Sequence, residues 1–195
     1  MINPNEHHLI TYDPGGAATG WTHFIIDRKA FSRPEHRLLR WLISWNCGEF
    51  TGTEHVQLNA ATGLIDKALK LVSYLSLDVL SENFDLTQLI GGSNLLSPVR
   101  INAVLDWECA KRGIKLELQA RQMRTGVTRE RLKLYGFEGK FRKDEFAAMQ
   151  HGVTKLRLMK QVSKQRPWKL SDGDALNAYY DCACHRRKKC DLIHP

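Results

Sequence analysis

The sequence predicts an α/β fold in which a mixed five-stranded sheet is flanked by helices. Three short apolar runs, at residues 8–13, 20–27 and 41–47, come first and in succession, as is typical of an antiparallel meander. Further along, segments with apolar residues at helical spacing alternate with short apolar runs. That alternation indicates strands reached by helical crossovers, which lie parallel to a neighbouring strand. The sheet is therefore expected to combine antiparallel and parallel pairs.

The predicted elements follow one another without an internal repeat. A glycine-rich turn after Asp13 joins the first two strands into a hairpin, and the third strand is predicted to end at Gly48. Thr53 is a plausible N-cap for the first long helix. Gly113 is a helix stop before the fifth strand. In chain order, the remaining elements are predicted as a helix over 53–74, a strand over 77–82, a loop over 83–98, a helix over 98–112, a strand over 114–118, and helices over 128–135, 143–160 and 171–187.

Length and composition are those of one globular domain spanning residues 1–195, with 43% hydrophobic and 26% charged residues. No apolar run approaches the roughly 20 residues that a membrane span needs, and the first residues lack the features of a signal peptide. The five cysteines are odd in number, which favours reduced thiols, with Cys47 and Cys109 in the core. We therefore expect a cytoplasmic protein with no membrane partner.

Charge is divided unevenly along the chain, whose formal net charge is +8. Residues 1–110 carry 8 Lys or Arg and 12 Asp or Glu, which leaves 21 and 9 of the totals of 29 and 21 for residues 111–195. A basic half beside an acidic half suggests an enzyme whose carboxylates hold metal and whose cations hold the phosphates of a nucleic acid. A basic surface without any partner is the alternative.

Three acidic residues stand where a metal site would need them. Asp13 closes the first predicted strand before a glycine-rich turn, where a metal-bound phosphate could approach the backbone. Glu82 closes the strand that follows the first long helix, and Asp174 lies in the last predicted helix. Each is an ordinary feature by itself, since carboxylates are common at the ends of surface elements.

The order of elements and these motifs resemble the ribonuclease H-like fold and, within it, the RuvC family of Holliday junction resolvases. The segment Asp13-Pro14-Gly15 with Thr19-Gly20-Trp21 is similar to the first motif of that family. The strand ending in Glu82 resembles the second acidic motif, and Asp174-Ala175-Leu176 resembles the last. The resemblance implies a metal-dependent endonuclease that cuts four-way DNA junctions as a symmetric homodimer. The long loop and the basic linkers suggest a divergent member, such as one from a bacteriophage.

The resemblance also implies two Mg²⁺ ions per active site, for which Mn²⁺ would substitute. Two such ions can activate the attacking water and stabilise the leaving oxygen of a phosphodiester. Asp13 would bridge the ions, and Glu82 and Asp174 would each bind one of them. The family usually carries a further acid or a histidine three residues before its last aspartate, and here that position is Ser171. Asp172 is the candidate fourth acid, with helix capping as its alternative role.

Substrate binding is expected to fall to the basic half, through contacts to phosphates that do not read sequence. Phe84, two residues beyond Glu82, could wedge into an opened base step or could pack in the core. For the dimer interface the first long helix offers Leu64, Ala68, Leu71 and Leu75, which could equally be core residues. The basic candidates for DNA contact are Arg121, Arg124, Arg129, Arg131, Lys133, Lys155, Arg157, Lys160, Lys164 and Arg166.

Two other functions fit the same features. A flap-cutting or DNA-packaging nuclease of the same fold would share the metal-binding acids but not the dimer. A non-catalytic module that binds branched DNA is favoured if Ser171 leaves the metal site incomplete. Metal dependence distinguishes the enzymes from the module, and the mass in solution distinguishes the dimer from a monomer.

Overall fold

The computed structural model describes residues 5–31, 42–84 and 96–165, and within these ranges the predicted order of strands and long helices is confirmed, with a short helix at Arg28–Phe31 in addition. The last predicted helix, 171–187, lies outside the described residues. The strands are β1 (Glu6–Pro14), β2 (Ala18–Asp27), β3 (Leu42–Thr51), β4 (Leu77–Asn83) and β5 (Leu116–Ala120). The α-helices are α1 (Arg28–Phe31), α2 (Glu54–Leu69), α3 (Leu96–Lys111), α4 (Arg129–Leu134) and α5 (Lys143–Gln165), and 3₁₀ helices span Tyr74–Ser76 and Arg121–Gly126.

The five strands form one mixed sheet in the order β3-β2-β1-β4-β5. β1 pairs antiparallel with β2, and β2 pairs antiparallel with β3, which confirms the predicted meander. β4 lies parallel to β1 on its other side, and β5 lies parallel to β4. The predicted combination of antiparallel and parallel strands is therefore correct, and β1 is the central strand.

Several element boundaries differ from the prediction. Thr53 caps α2 as predicted, its side chain accepting a hydrogen bond from the Val56 amide, but the helix ends at Leu69. The chain then forms a separate 3₁₀ turn at Tyr74–Ser76 before it enters β4. β3 continues past Gly48 to Thr51 because its pairing with β2 extends to the register pair Ala18 and Thr51.

The sheet is covered on both faces by apolar side chains. On one face Leu9, Phe24 and Leu80 pack against Met149 and Val153 of α5, and all five are buried. The second face carries a cluster from β1, β4, α2 and α3, which contains Ile10, Tyr12, Ile65, Val79 and Leu105. Because strand side chains alternate between the two faces, the odd-numbered residues of β1 lie on the α5 face and the even-numbered residues lie on the face of α2 and α3.

Helix α5 approaches the β1–β2 hairpin closely enough to require glycine in β2. A Cβ added at Gly20 would lie 2.0 Å from the backbone oxygen of Asp144, in the first turn of α5. Further along, the Thr11 hydroxyl donates a 2.8 Å hydrogen bond to the Ala148 carbonyl. These contacts hold the N-terminal half of α5 over the end of β1, where Asp13 lies.

The two cysteines predicted to be core residues are both free thiols. Cys109 belongs to α3 and is fully buried in the cluster on the α2 and α3 face of the sheet. Cys47 is half-buried, and its thiol donates a 3.2 Å hydrogen bond to Glu145. Within the part of the chain that the structure describes, no helix has the length and apolar character to cross a membrane.

Candidate metal centre

Asp13 and Glu82 meet because β1 and β4 are adjacent and parallel. In the register of that pair Tyr12 faces Ser81, so Asp13 and Glu82 are the next residues of their strands. Both carboxylates lie on the sheet face that α5 covers, since they alternate with Tyr12 and Ser81. The predicted proximity of these two acids is what the parallel pairing produces.

Hydrogen bonds on the other face of the sheet hold the end of β4 in place. The Ser81 hydroxyl donates to the Asn102 side-chain oxygen over 2.6 Å. The Asn102 amide donates to the Glu82 carbonyl over 2.8 Å. Helix α3 therefore holds the backbone from which the Glu82 side chain projects.

Helix α5 adds a histidine to the two carboxylates. His151 is fully buried, and its Nε2 lies 2.8 Å from Glu82 Oε2. Asp13, Glu82 and His151 each offer one ligand atom, and these three atoms lie within 4.8 Å of one another. Two carboxylate oxygens and one imidazole nitrogen are a donor set that can hold a divalent metal ion.

Two arginines from the 3₁₀ helix after β5 face the same carboxylate. Arg124 Nε lies 3.2 Å from Glu82 Oε2, and Arg121 Nε lies 4.0 Å from Oε1. Arg124 is mostly buried and its guanidinium also donates to Gln150 over 3.4 Å, whereas the Arg121 side chain is 66% exposed. Glu82 is thus the residue through which the end of β4 contacts the basic 3₁₀ helix that follows β5.

An open cavity of about 330 Å³ lies beside these groups. Its wall combines the acidic residues Asp13 and Asp144 with the basic residues Arg121, Arg124 and Lys143. A cavity lined by both carboxylates and cations can accept a phosphate together with the metal ions that neutralise it.

The carboxylates have opposite pKa shifts. Burial, the nearby charge of Glu82 and a hydrogen bond to it together raise the pKa of Asp13 to about 8, against the effect of Arg124. Burial would also raise the pKa of Glu82, but hydrogen bonds with His151 and Asp13 and the charge of Arg124 hold that pKa below its usual value. Without a metal ion, Asp13 is therefore protonated at neutral pH and Glu82 is ionised.

Two other groups at the site are shifted toward their neutral forms. Burial lowers the pKa of His151, although the adjacent Glu82 acts in the opposite direction. Burial and the charge of Glu49 raise the pKa of Asp144. A neutral imidazole is the form of histidine that binds metal ions.

The site residues predicted from the sequence lie in different parts of the chain and of the fold. Asp13 and Glu82 lie together, and Arg121 and Arg124 line the cavity beside them. Phe84 lies on the other side of β4, in a separate cavity of about 270 Å³ against α3. The residues Ser171, Asp172, Asp174 and Arg166 lie outside the described part of the chain, and of Lys160 and Lys164 only the helical backbone is described.

The other residues predicted to contact DNA differ in their solvent exposure. Arg129 and Lys133 are exposed on α4, and the Arg129 guanidinium stands 4.3 Å from the centre of the Phe146 ring. Arg131 is partly buried and donates to the Gly126 carbonyl. Lys155 and Arg157 are each only 6% exposed, and Lys155 forms an ion pair with Glu117 of β5. Lys155 and Arg157, both proposed as DNA contacts, are therefore buried and not solvent-exposed in this structure.

Two residues at the site were not predicted. His151 and Asp144 both come from α5, which the sequence indicated as a helix without indicating its position on the sheet. A polar residue on the apolar stripe of α5, three positions after the buried Ala148, is the signal that points to His151. Its pairing with Glu82, 69 residues away in the chain, depends on the fold.

The fold is similar to that of solved protein structures. The RuvC structure of Thermus thermophilus superimposes with a TM-score of 0.51 at 10% sequence identity, over 80% of this chain and 97% of that chain. The chain therefore has the ribonuclease H-like fold of RuvC. A second structure, T. thermophilus RuvC in complex with a Holliday junction substrate, gives a TM-score of 0.49 at 11% identity, over 76% of this chain and 92% of that one.

A structure from a different group of proteins is similar with a lower TM-score. An Aquifex aeolicus PPX-GPPA enzyme superimposes with a TM-score of 0.37 at 10% identity and covers 69% of this chain but 42% of that one. The sequence matches no family model and no curated protein. The RuvC fold is thus identified through structure, and nothing in these comparisons supports the expected bacteriophage origin.

Proposed function

We propose that this protein is a metal-dependent endonuclease that cuts branched DNA, with the four-way junction as its substrate. The observation that carries the proposal is the pair Asp13 and Glu82 at the ends of adjacent parallel strands, beside a cavity that is also lined by basic residues. The RuvC fold supports the same conclusion. In this proposal the chain is a single nuclease domain that acts as a symmetric homodimer.

The described residues have separate parts in the proposed reaction. Asp13, the central carboxylate, and Glu82 would hold Mg²⁺ or Mn²⁺, with His151 as a nitrogen donor beside them. Bound divalent ions activate water for attack on a phosphodiester and neutralise the leaving oxygen. Asp172 and Asp174 are proposed as further ligands, which would allow two ions per site. Release of the Asp13 proton to solvent would accompany metal binding, because its pKa is raised to about 8 in the free protein.

The basic residues around the cavity would hold the DNA backbone. Arg124 and Arg121 are close enough to Glu82 to face a phosphate that approaches the metal centre. Lys143 lines the same cavity, and Arg129 and Lys133 extend the positive charge along α4. Contacts of this kind position the backbone without reading bases, so binding should depend on DNA shape and on salt.

A dimer is proposed because two symmetric cuts in a four-way junction require two active sites related by a two-fold axis. Of the four candidate interface residues, Ala68 is fully buried in the core and Leu64 packs partly against it. Leu71 and Leu75 are 49% and 73% exposed, and Tyr74 between them is 51% exposed. This exposed apolar group at the end of α2 is available to a second copy of the chain.

The substrate is tested by incubating the protein with a synthetic four-way junction, a 5′ flap and a linear duplex, each with Mg²⁺ and with Mn²⁺. Paired nicks at symmetric positions on the junction, dependent on the metal, are the expected result. Preferential cutting of the flap would replace the junction with another branched substrate. Junction binding without cutting under both metals would instead identify a non-catalytic module.

A further inference from the structure

We propose that Gln150 of α5 is a positioning residue, which holds the Arg124 guanidinium in place at the cavity before a DNA phosphate arrives. The inference rests on the proposed function, because it takes a phosphate of branched DNA as the ligand of this cavity. Gln150 and Arg124 both line the cavity. Gln150 is not among the residues that the sequence predicts to bind DNA.

The segment that carries Arg124 is not fixed by apolar packing of its own. The 3₁₀ helix Arg121–Gly126 contains no buried residue. Its anchor is the next residue, Val127, which is fully buried in the apolar cluster on the α5 face of the sheet. Polar contacts therefore have to set the position of the side chains on this 3₁₀ helix.

The Gln150 amide contacts this segment through both of its polar atoms. Its Nε2 donates a hydrogen bond to the Val127 carbonyl over 2.5 Å, and its Oε1 accepts one from Arg124 Nη1 over 3.4 Å. A carbonyl only accepts and a guanidinium only donates, so these partners determine which end of the amide faces which group. The second contact is long for an N–H···O bond, so we expect it to orient Arg124 and not to bind it tightly. Gln150 thus connects the buried anchor Val127 to the head group of Arg124.

Arg124 is held at two points, which together fix the plane of its guanidinium. Nε lies 3.2 Å from Glu82 Oε2, and Nη1 donates to Gln150. These contacts use one N–H group of Nε and one of Nη1, and the guanidinium also carries N–H groups on Nη2. Neighbouring N–H groups of Nη1 and Nη2 form the fork that binds two oxygens of a phosphate. The direction of that fork is therefore set by the protein before DNA binds.

Arg121, on the same 3₁₀ helix, shows what Arg124 would be without such a partner. The Arg121 side chain is 66% exposed, against 15% for Arg124, and its Nε lies 4.0 Å from Glu82 Oε1. A long exposed side chain loses conformational freedom when it contacts a phosphate, and this loss weakens binding. Arg124 has already lost that freedom in the folded protein. Gln150 therefore contributes to DNA affinity by ordering Arg124 in advance.

The first measurement is the order of the Arg124 side chain in the full-length protein without DNA. ¹⁵N relaxation of the arginine Nε–H groups reports it, and the signal that disappears in Arg124→Gln identifies the residue. Gln150→Met keeps the length and helix propensity of glutamine and removes both hydrogen bonds. It should lower the order parameter of Arg124 from the rigid range, about 0.85, toward the flexible range, below about 0.6. Gln122→Met is the matched control, because Gln122 is an exposed glutamine of the same 3₁₀ helix and should leave Arg124 ordered.

The second measurement is the affinity for a four-way junction, by fluorescence anisotropy in EDTA. Gln150→Met should weaken binding by about two- to tenfold, the effect of one long side chain that has to be immobilised on binding. In the Arg124→Gln background the same substitution should change nothing, because two residues that act through one contact are not additive. If Gln150→Met does not fold, Gln150→Lys keeps a donor for the Val127 carbonyl and removes the acceptor, and Arg124 should again lose its order.

The outcomes separate this inference from the proposed function. Equal weakening by Gln150→Met in both backgrounds would show that Gln150 contacts DNA itself. An unchanged order of Arg124 in the Gln150 variants would show that Glu82 alone holds the guanidinium. Either result would overturn the inference and leave the proposed function intact. Failure of the wild-type protein to bind a four-way junction would instead reject the proposed function.

Discussion

At the residue scale, the site is defined by two carboxylates with opposite tendencies. Glu82 is held ionised by its neighbours, whereas Asp13 is driven toward its protonated form by burial and by Glu82 itself. A protein gains nothing for folding from placing two acids together in this way. The arrangement is useful if a cation is bound there, because binding then relieves the repulsion and supplies the free energy that ionises Asp13.

The raised pKa of Asp13 predicts a dependence of stability on pH. Below the ordinary pKa of 3.8, Asp13 is protonated in both the folded and the unfolded state. As pH rises from there toward the folded pKa of about 8, the unfolded state releases this proton more readily, so the free energy of unfolding falls. Asp13→Asn removes this loss. In EDTA the variant should therefore match wild type near pH 4 and melt at higher temperature at pH 9, by about 2–4 °C for each kcal/mol.

Thermal unfolding followed by circular dichroism at several pH values checks this prediction. Asp66→Asn is a useful control, because Asp66 is an exposed carboxylate on α2 that is paired with Arg112 and lies away from the site. A melting temperature of Asp13→Asn that stays below wild type at pH 9 would show that burial and repulsion do not dominate the energetics of Asp13.

At the element scale, the approach of α5 to the hairpin determines where His151 and Asp144 lie. Gly20 permits this approach, since a Cβ there would lie 2.0 Å from one backbone atom of α5 and 2.6 Å from another. Backbone atoms in a helix cannot move aside as a side chain could. The helix or the hairpin must shift if any side chain is present at this position.

Gly20→Ala should accordingly destabilise the protein by about 1–3 kcal/mol or more, as overpacking does, and should weaken Mn²⁺ binding by displacing α5. The matched control is Gly63→Ala in α2, where an added Cβ would meet nothing within 4 Å. That change should stabilise the protein by about 0.5–1 kcal/mol, the difference in helix propensity. Urea unfolding of both variants measures the effect, and equal stability of the two would contradict the described packing.

The element types were predictable from the sequence, but the position of α5 was not. The strands and long helices were predictable because β1, β2, β4, α2 and α3 each carry an apolar pattern of one period. The meeting of Asp13 and Glu82 followed from the expectation of a parallel pair. The place of α5 was not predictable, since it depends on the contacts of Gly20 and of Thr11 with residues more than 120 positions later.

The burial of individual basic residues also could not be predicted from the sequence. Lys155 is an ordinary basic residue of an amphipathic helix by its spacing, but in the structure it is buried and paired with Glu117. The charge count of residues 111–195 therefore overstates the charge that faces solvent. Arg121 and Lys143, by contrast, are exposed at the cavity.

At the scale of the whole molecule, the basic residues that line the cavity predict how DNA binding responds to salt. Arg121→Ala should weaken binding of a four-way junction and reduce the slope of log affinity against log salt by about 1, the value for one lost phosphate contact. Arg100→Ala is the matched control, because Arg100 is a similarly exposed arginine on α3, paired with Glu54. Fluorescence anisotropy at several salt concentrations, in EDTA to prevent cutting, measures both. An equal effect of the two substitutions would contradict the assignment of the binding surface.

The central claim is that Asp13 and Glu82 form the metal centre of a nuclease for branched DNA, and cleavage of a labelled four-way junction tests it most directly. Under single-turnover conditions with Mn²⁺, wild type should produce symmetric nicks. Asp13→Asn and Glu82→Gln should reduce the rate of cutting by about 10³-fold or more, as loss of electrostatic stabilisation does at other active sites, while anisotropy shows junction binding retained. Metal-dependent cutting by Asp13→Asn at the wild-type rate would contradict the claim.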